Sequence, residues 1–211
     1  MAYDVSHLLP VPELAPGTTL LISGPPLTRK RELLLRLLRP VDAEGTAMVT
    51  TKMGAGTLLE RYRDLTDGAT EADLKVIDCV TQERGLGDVR DTETTRYVSS
   101  PRDLTGLSIS LTGVFKQFRQ QSFDARIGIH SLSTFLMYED LQRVYRMIHV
   151  LGGQIESLGW LGAFVVDSPT DRERGLLSQL VDGIVETRET DSGCEFRLRG
   201  LGGRAAGWQA Y

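Results

Sequence analysis

The stretch from Thr18 to Leu33 (T-T-L-L-I-S-G-P-P-L-T-R-K-R-E-L) constrains the fold more than any other. Thr18–Ser23 reads as a short apolar strand of the kind buried in a parallel sheet. Gly24-Pro25-Pro26 breaks it with a turn. Leu27 and Thr28 follow, and a helix then opens on three consecutive cations, Arg29, Lys30 and Arg31. Strand, glycine turn and a helix with lysine at its start form the order of a phosphate-binding loop, G-x-x-x-x-G-K-[ST]. Gly24 and Lys30 lie six positions apart, as that motif requires. Arg29 stands where its second glycine belongs, and Arg31 where its hydroxyl belongs. A plain strand-to-helix turn that binds nothing is the alternative for the same residues.

Downstream, strands and helices alternate. Arg31–Leu38 carries a leucine stripe and stops at Pro40. Gly45–Met53, Leu74–Thr81, Arg126–Phe135 and Leu161–Asp167 read as further strands. Gly56–Leu65, Asp103–Gln121, Asp140–Leu151 and Arg172–Val181 read as helices, and polar Gln82–Ser100 as a long surface loop. Gly183–Glu189 and Cys194–Leu198, joined by Thr190-Asp191-Ser192-Gly193, predict a terminal antiparallel hairpin. Such alternation implies an α/β fold whose central, mostly parallel sheet is covered on both faces. No linker or repeat divides the chain, so one domain is expected over residues 17–203. An extended, Pro-punctuated lead-in (1–16) and a tail (204–211) flank it.

Composition weighs against several functional classes. A formal net charge of -4 over 211 residues gives no global pull toward nucleic acid, and no basic patch is interleaved with aromatics. Two cysteines, Cys79 and Cys194, are too few for a disulfide framework. His7, His130 and His149 share no metal-ligand spacing, so no metal site is expected. The N-terminus lacks the charged and apolar regions of an export signal. No apolar run approaches the roughly 20 residues of a membrane span. A cytoplasmic protein is expected.

Three other stretches carry chemistry at the ends of strands, where ligands of open α/β sheets bind. They are Ile127-Gly128-Ile129-His130-Ser131-Leu132-Ser133-Thr134-Phe135, Val76-Ile77-Asp78-Cys79-Val80-Thr81 and Phe196-Arg197-Leu198-Arg199-Gly200. Taken in order with Gly24–Leu33, they make residues 17–203 resemble a RecA-superfamily P-loop ATPase of the KaiC-like archaeal branch, of a small haloarchaeal kind. That resemblance implies a RecA-like domain and ATP at Gly24, Pro25, Pro26, Leu27, Thr28, Arg29, Lys30 and Arg31. It also implies Mg²⁺ held by the loop hydroxyl and a fourth-strand aspartate, with a glutamate after the second strand as base. Position by position, Lys30 is kept. The hydroxyl is Arg31, the aspartate of the Walker B position is His130, and the glutamate region is Thr51-Lys52.

Each position that should bear an oxygen ligand has lost it. The expected function is therefore nucleotide-binding-type regulation or interaction, with ATP hydrolysis weakened or lost and at most a slow ATPase. ATP or another nucleotide is the expected ligand, an anion with little need for Mg²⁺. By resemblance, the expected partner is a second copy or a related RecA-like subunit, with Arg197 and Arg199 reaching across. Two rival functions are an active ATPase drawing its acid from Asp78, Asp167 or Glu83, and an accessory factor of DNA recombination or repair. Trp160, Trp208 and Tyr211 read as packing residues, and Arg172-Glu173-Arg174 as a solvated helix start.

Overall fold

A computed structural model describes residues 2–41, 44–66, 74–85, 89–121, 123–201 and 207–211. Among them run β1 (Tyr3–Asp4), β2 (Glu13–Leu14), β3 (Thr19–Gly24), α1 (Lys30–Leu37), β4 (Glu44–Thr50), α2 (Ala55–Leu65) and β5 (Leu74–Asp78). Next come β6 (Thr95–Tyr97), α3 (Leu104–Gln120), β7 (Asp124–His130), α4 (Leu132–Tyr138), α5 (Leu141–Leu158) and β8 (Leu161–Asp167). The chain closes with α6 (Asp171–Leu177), a 3-10 turn (Ser178–Leu180), β9 (Gly183–Thr190), β10 (Gly193–Gly200) and β11 (Gln209–Ala210).

Nine of these strands form one sheet in the order β11-β10-β9-β3-β8-β7-β4-β5-β6. From β9 to β6 every pairing is parallel; β9 and β10 form an antiparallel hairpin. Side chains alternate across the strands and so feed two cores. Leu20, Ile22, Met48, Val76 and Val165 face α1, α2 and the β1–β2 pair. Leu21, Val49, Ile77, Ile127 and Phe164 face α3, α4, α5 and α6. On that second face the Trp160 ring meets Phe115 edge-on at 4.9 Å, as a buried packing aromatic does.

The expected α/β sheet and terminal hairpin are present, with local differences that have physical causes. The fourth strand stops at His130 rather than Phe135. Ser131 caps the helix that follows by accepting from Ser133 N at 3.2 Å, and Leu132 and Phe135, three apart, bury on one helical face. The third strand stops at Asp78, whose carboxylate draws the amides of Val80 and Thr81 into a turn at 2.7 and 2.9 Å. Within the expected surface loop, Thr95–Tyr97 adds an edge strand beside β5. The helix expected to end at Leu151 continues through Gly152-Gly153 to Leu158, where Gly159 closes it at φ 69°. Ile155, buried beyond those glycines, extends the apolar face, so packing outweighs their roughly 1 kcal/mol propensity penalty each. In the lead-in, Tyr3 pairs with Leu14 and both are buried with Val5 and Leu9.

Candidate functional site

The direction of the chain connections locates the site. From β3 the chain runs through α1 to β4, passing over β8 and β7; from β8 it runs through α6 to β9, on the other side of β3. The carboxyl ends of β3 and β8 therefore flank the point where connections diverge, the usual ligand crevice of an open α/β sheet. At that point lie the Gly24–Lys30 loop and Asp167.

Gly24 is required by a close approach. A Cβ there would lie 2.2 Å from Thr187 Oγ1 and 2.4 Å from the Thr187 carbonyl oxygen on β9. Arg29 takes the left-handed conformation (φ 49°, ψ 23°) that the motif's glycine would supply. The turn is thus made despite the Cβ, at a cost of about 1–2 kcal/mol. Leu27 is also left-handed (φ 67°) and is 87% exposed. The side chain of Arg29, the N-cap of α1, makes no capping hydrogen bond. Thr28 turns its hydroxyl to the Pro25 carbonyl (3.0 Å) and to Thr187 Oγ1 (2.6 Å), while Tyr211 donates its hydroxyl to the Thr28 carbonyl.

Lys30 is only 4% exposed in its side chain, and its ammonium is directed into the loop. It donates to the Gly24 carbonyl at 3.0 Å, to the Pro25 carbonyl and to Thr28 Oγ1 at 3.2 Å. Asp167 Oδ1 completes the set at 3.0 Å, and the other carboxylate oxygen of Asp167 binds Lys52. One carboxylate thus bridges two lysines. Burial lowers the Lys30 pKa, with Asp167 opposing the shift. Burial would raise Asp167, but the hydrogen bonds from Lys52 and Lys30 outweigh it and hold the carboxyl below its usual range. Ser133 on α4 fixes the end of β8 by accepting from Asp167 N at 2.7 Å.

His130 ends β7, with 7% exposure and no hydrogen-bond partner for its buried Nδ1 among the described residues. The His130–Ser131 peptide is cis. Burial first, then the Arg31 and Lys52 cations, push the imidazole pKa down to about 4, with Asp167 opposing. The ring is therefore neutral at pH 7. Since the unfolded imidazole titrates near 6.5, the unfolded chain takes up this proton first as pH falls. The linked stability is complete above pH 6.5 and is lost towards pH 4, about 3 kcal/mol in all. Urea midpoints from pH 7 to 4.5 should fall more steeply for the wild type than for His130→Gln; parallel profiles would contradict this assignment.

Arg31 points elsewhere. Half-buried, it lines a cleft of about 360 Å³ between α1 and α2 with Arg29, Glu32, Arg61 and Asp64. Burial and the facing Arg61 both disfavour its charge. Arg197 and Arg199 pair within the chain with Glu186, Arg199 at 3.0 Å, and Arg197 also lies over Trp208 at 4.6 Å. They border a second cleft, of about 720 Å³, that reaches Ser23, Gly24 and Pro25. A third cleft, of about 860 Å³, lies at the amino end of β3 around Gly17, Thr18 and Asp182, remote from these charges.

Asp78 is a structural acid. Its oxygens accept from Ala55 N at the start of α2 (2.6 Å), from Val80 N, from Thr81 N and from Thr81 Oγ1 (2.6 Å). Glu83 lies in the turn after β5. Cys79 is buried, its thiol pushed up to about 12, and is inert as a nucleophile. Sequence reasoning noticed both Lys52 and Asp167 yet missed that they meet. Each ends a strand or its turn at the same sheet edge, and that shared position was the available signal.

The magnesium implied by the resemblance can be tested against these donors. Hard cations need oxygen ligands. Here the carboxylate of Asp167 is held by two ammonium groups, the Thr28 hydroxyl is engaged, and the remaining positions are Arg31 and His130. Among the described residues no three His, Cys, Asp or Glu side chains gather into a metal site. The donor set does not fit Mg²⁺.

Fold and site together define an α/β protein with a mostly parallel sheet and a lysine-bearing loop at its switch point. The family model for the family of unknown function DUF7504 matches residues 17–187, and the chain belongs to that family. In structure it is similar to uncharacterized protein PH0321 from Pyrococcus horikoshii, solved in complex with an unknown peptide. That likeness has a TM-score of 0.63 at 12% identity, over 88% of this chain and 84% of the other, and it speaks to the fold alone. No curated protein matches the sequence. No helix among the described residues is long and apolar enough to cross a membrane.

Proposed function

We propose that this chain is a RecA/KaiC-like P-loop domain serving as a nucleotide-binding-type regulatory or interaction protein in which ATP hydrolysis is weakened or lost. One observation carries the proposal: Asp167, the carboxylate at the loop, is bound by both Lys30 and Lys52. An ATPase needs carboxylate or hydroxyl oxygens free for the metal and for the attacking water. Here those positions hold cations, a neutral imidazole or an acid already neutralised. Support for a retained phosphate site comes from the strand–loop–helix order and from the left-handed turn kept at Arg29. The partner proposed is a second copy or a related RecA-like subunit; for Arg197 and Arg199 to reach it, each must leave Glu186.

Calorimetric titration with ATP in EDTA, and again with Mg²⁺, tests the proposal. Binding with a similar dissociation constant in both is expected. Binding that appears only with Mg²⁺, or in neither condition, contradicts it.

A further inference from the structure

The geometry points to Asp167 as a built-in competitor for the loop's ligand: its carboxylate holds the place of a phosphate group between Lys30 and Lys52, so a diphosphate-class anion binds without metal by displacing it. The inference rests on the proposed anion-binding role of the loop and adds how that site is kept closed. An ammonium has three hydrogens, and Lys30 already faces four oxygens: Gly24 O, Pro25 O, Thr28 Oγ1 and Asp167 Oδ1. A new anion therefore reaches this lysine by exchange, not by addition. The two carbonyls belong to the turn itself, and the Thr28 hydroxyl is tied to Thr187 on β9. Asp167 is a side chain, 21% exposed, at the mouth of the site.

Lys52, on its outer side, is 41% exposed and can stay with either anion. A phosphate offers more acceptor oxygens and more charge than a carboxylate, so the exchange gains charge-assisted hydrogen bonds. The displaced position is also set up for an anion by groups Asp167 does not satisfy. The side chain of Arg29, the N-cap of α1, makes no capping bond, and the buried Nδ1 of His130, at the end of β7 beside β8, has no hydrogen-bond partner among the described residues. In its Nδ1–H tautomer that imidazole is a donor for an anion oxygen.

The experiment is calorimetry with pyrophosphate in EDTA on the wild type and on Asp167→Asn, which keeps the shape and removes the charge. The wild type should bind measurably, and the variant should bind tenfold or more tightly than the wild type. Equal or weaker binding by the variant overturns the competitor role while leaving the anion site standing; no binding by either chain removes both. Should the variant fail to fold, the wild type still decides. Under saturating pyrophosphate the ¹³C carboxyl resonance of Asp167 should move, and an unmoved resonance in a chain that binds pyrophosphate overturns the inference.

Discussion

Arg126→Ala is expected to destabilise the fold by about 3–5 kcal/mol, the range for breaking a buried ion pair by removing one partner. Arg126 is fully buried near the start of β7 and makes no contact with the candidate site. Its Nε donates to Glu44 Oε2 at 2.6 Å, and its terminal nitrogens reach the Leu37 carbonyl at 2.9 Å and the Asp4 carbonyl at 3.1 Å. Its guanidinium also lies over the Tyr3 ring at 5.4 Å. One side chain thus ties β7, β4, the end of α1 and the β1–β2 pair together. Alanine leaves the Glu44 carboxylate, 13% exposed, without its cation and takes one donor from each of the two carbonyls. The loss should appear as a lower urea midpoint at unchanged slope. Desolvation decides how the effect divides: replacing both members, Arg126→Met with Glu44→Leu, should cost far less than the single change, because no charge is stranded. A single-variant loss below 1 kcal/mol would contradict this account of Arg126.

The same residue marks the boundary of what the sequence makes legible. The apolar run Ile127–Ile129 announces a buried strand, and the strand is there. Arg126 at its edge looks like an ordinary polar flank, because its partners Glu44 and Asp4 lie 82 and 122 positions away. Periodicity reports which face of an element is buried, not what a long side chain meets across the fold. Lys52 and Asp167 are a second instance, separated by 115 positions yet sharing one charge pair. The strand beside β5 is illegible in the sequence for a different reason. Thr95–Tyr97 has three residues, too few for alternation, and is held by partners such as Asp91, which accepts from Tyr97 N at 2.9 Å. The strand–turn–helix order of the loop is legible because its contacts are local: Gly24, Thr28 and Lys30 lie within seven consecutive residues, and Lys30 turns back onto the other two.

The second large effect concerns rate. Catalysis of phosphoryl transfer comes from positioning and from charges that stabilise the transition state, chiefly the metal and a group orienting water. Lys30 is present but is matched to Asp167 and three loop oxygens. Lys52 follows the second strand, where the resemblance implies a glutamate, and a cation cannot accept a proton. His130 is neutral at pH 7, and with a pKa of about 4 it is a weak base. Asp78 is fully engaged as the cap of α2. Loss of metal and base together removes several powers of ten, so the hydrolysis proposed as weakened or lost should be undetectable beside the roughly 1 s⁻¹ at the lower end of ordinary enzymes. The decisive measurement is phosphate release from saturating Mg²⁺–ATP by the wild type and by Lys30→Ala. The account predicts two rates that match each other and the protein-free blank; turnover near 1 s⁻¹ in the wild type that disappears in Lys30→Ala would contradict it.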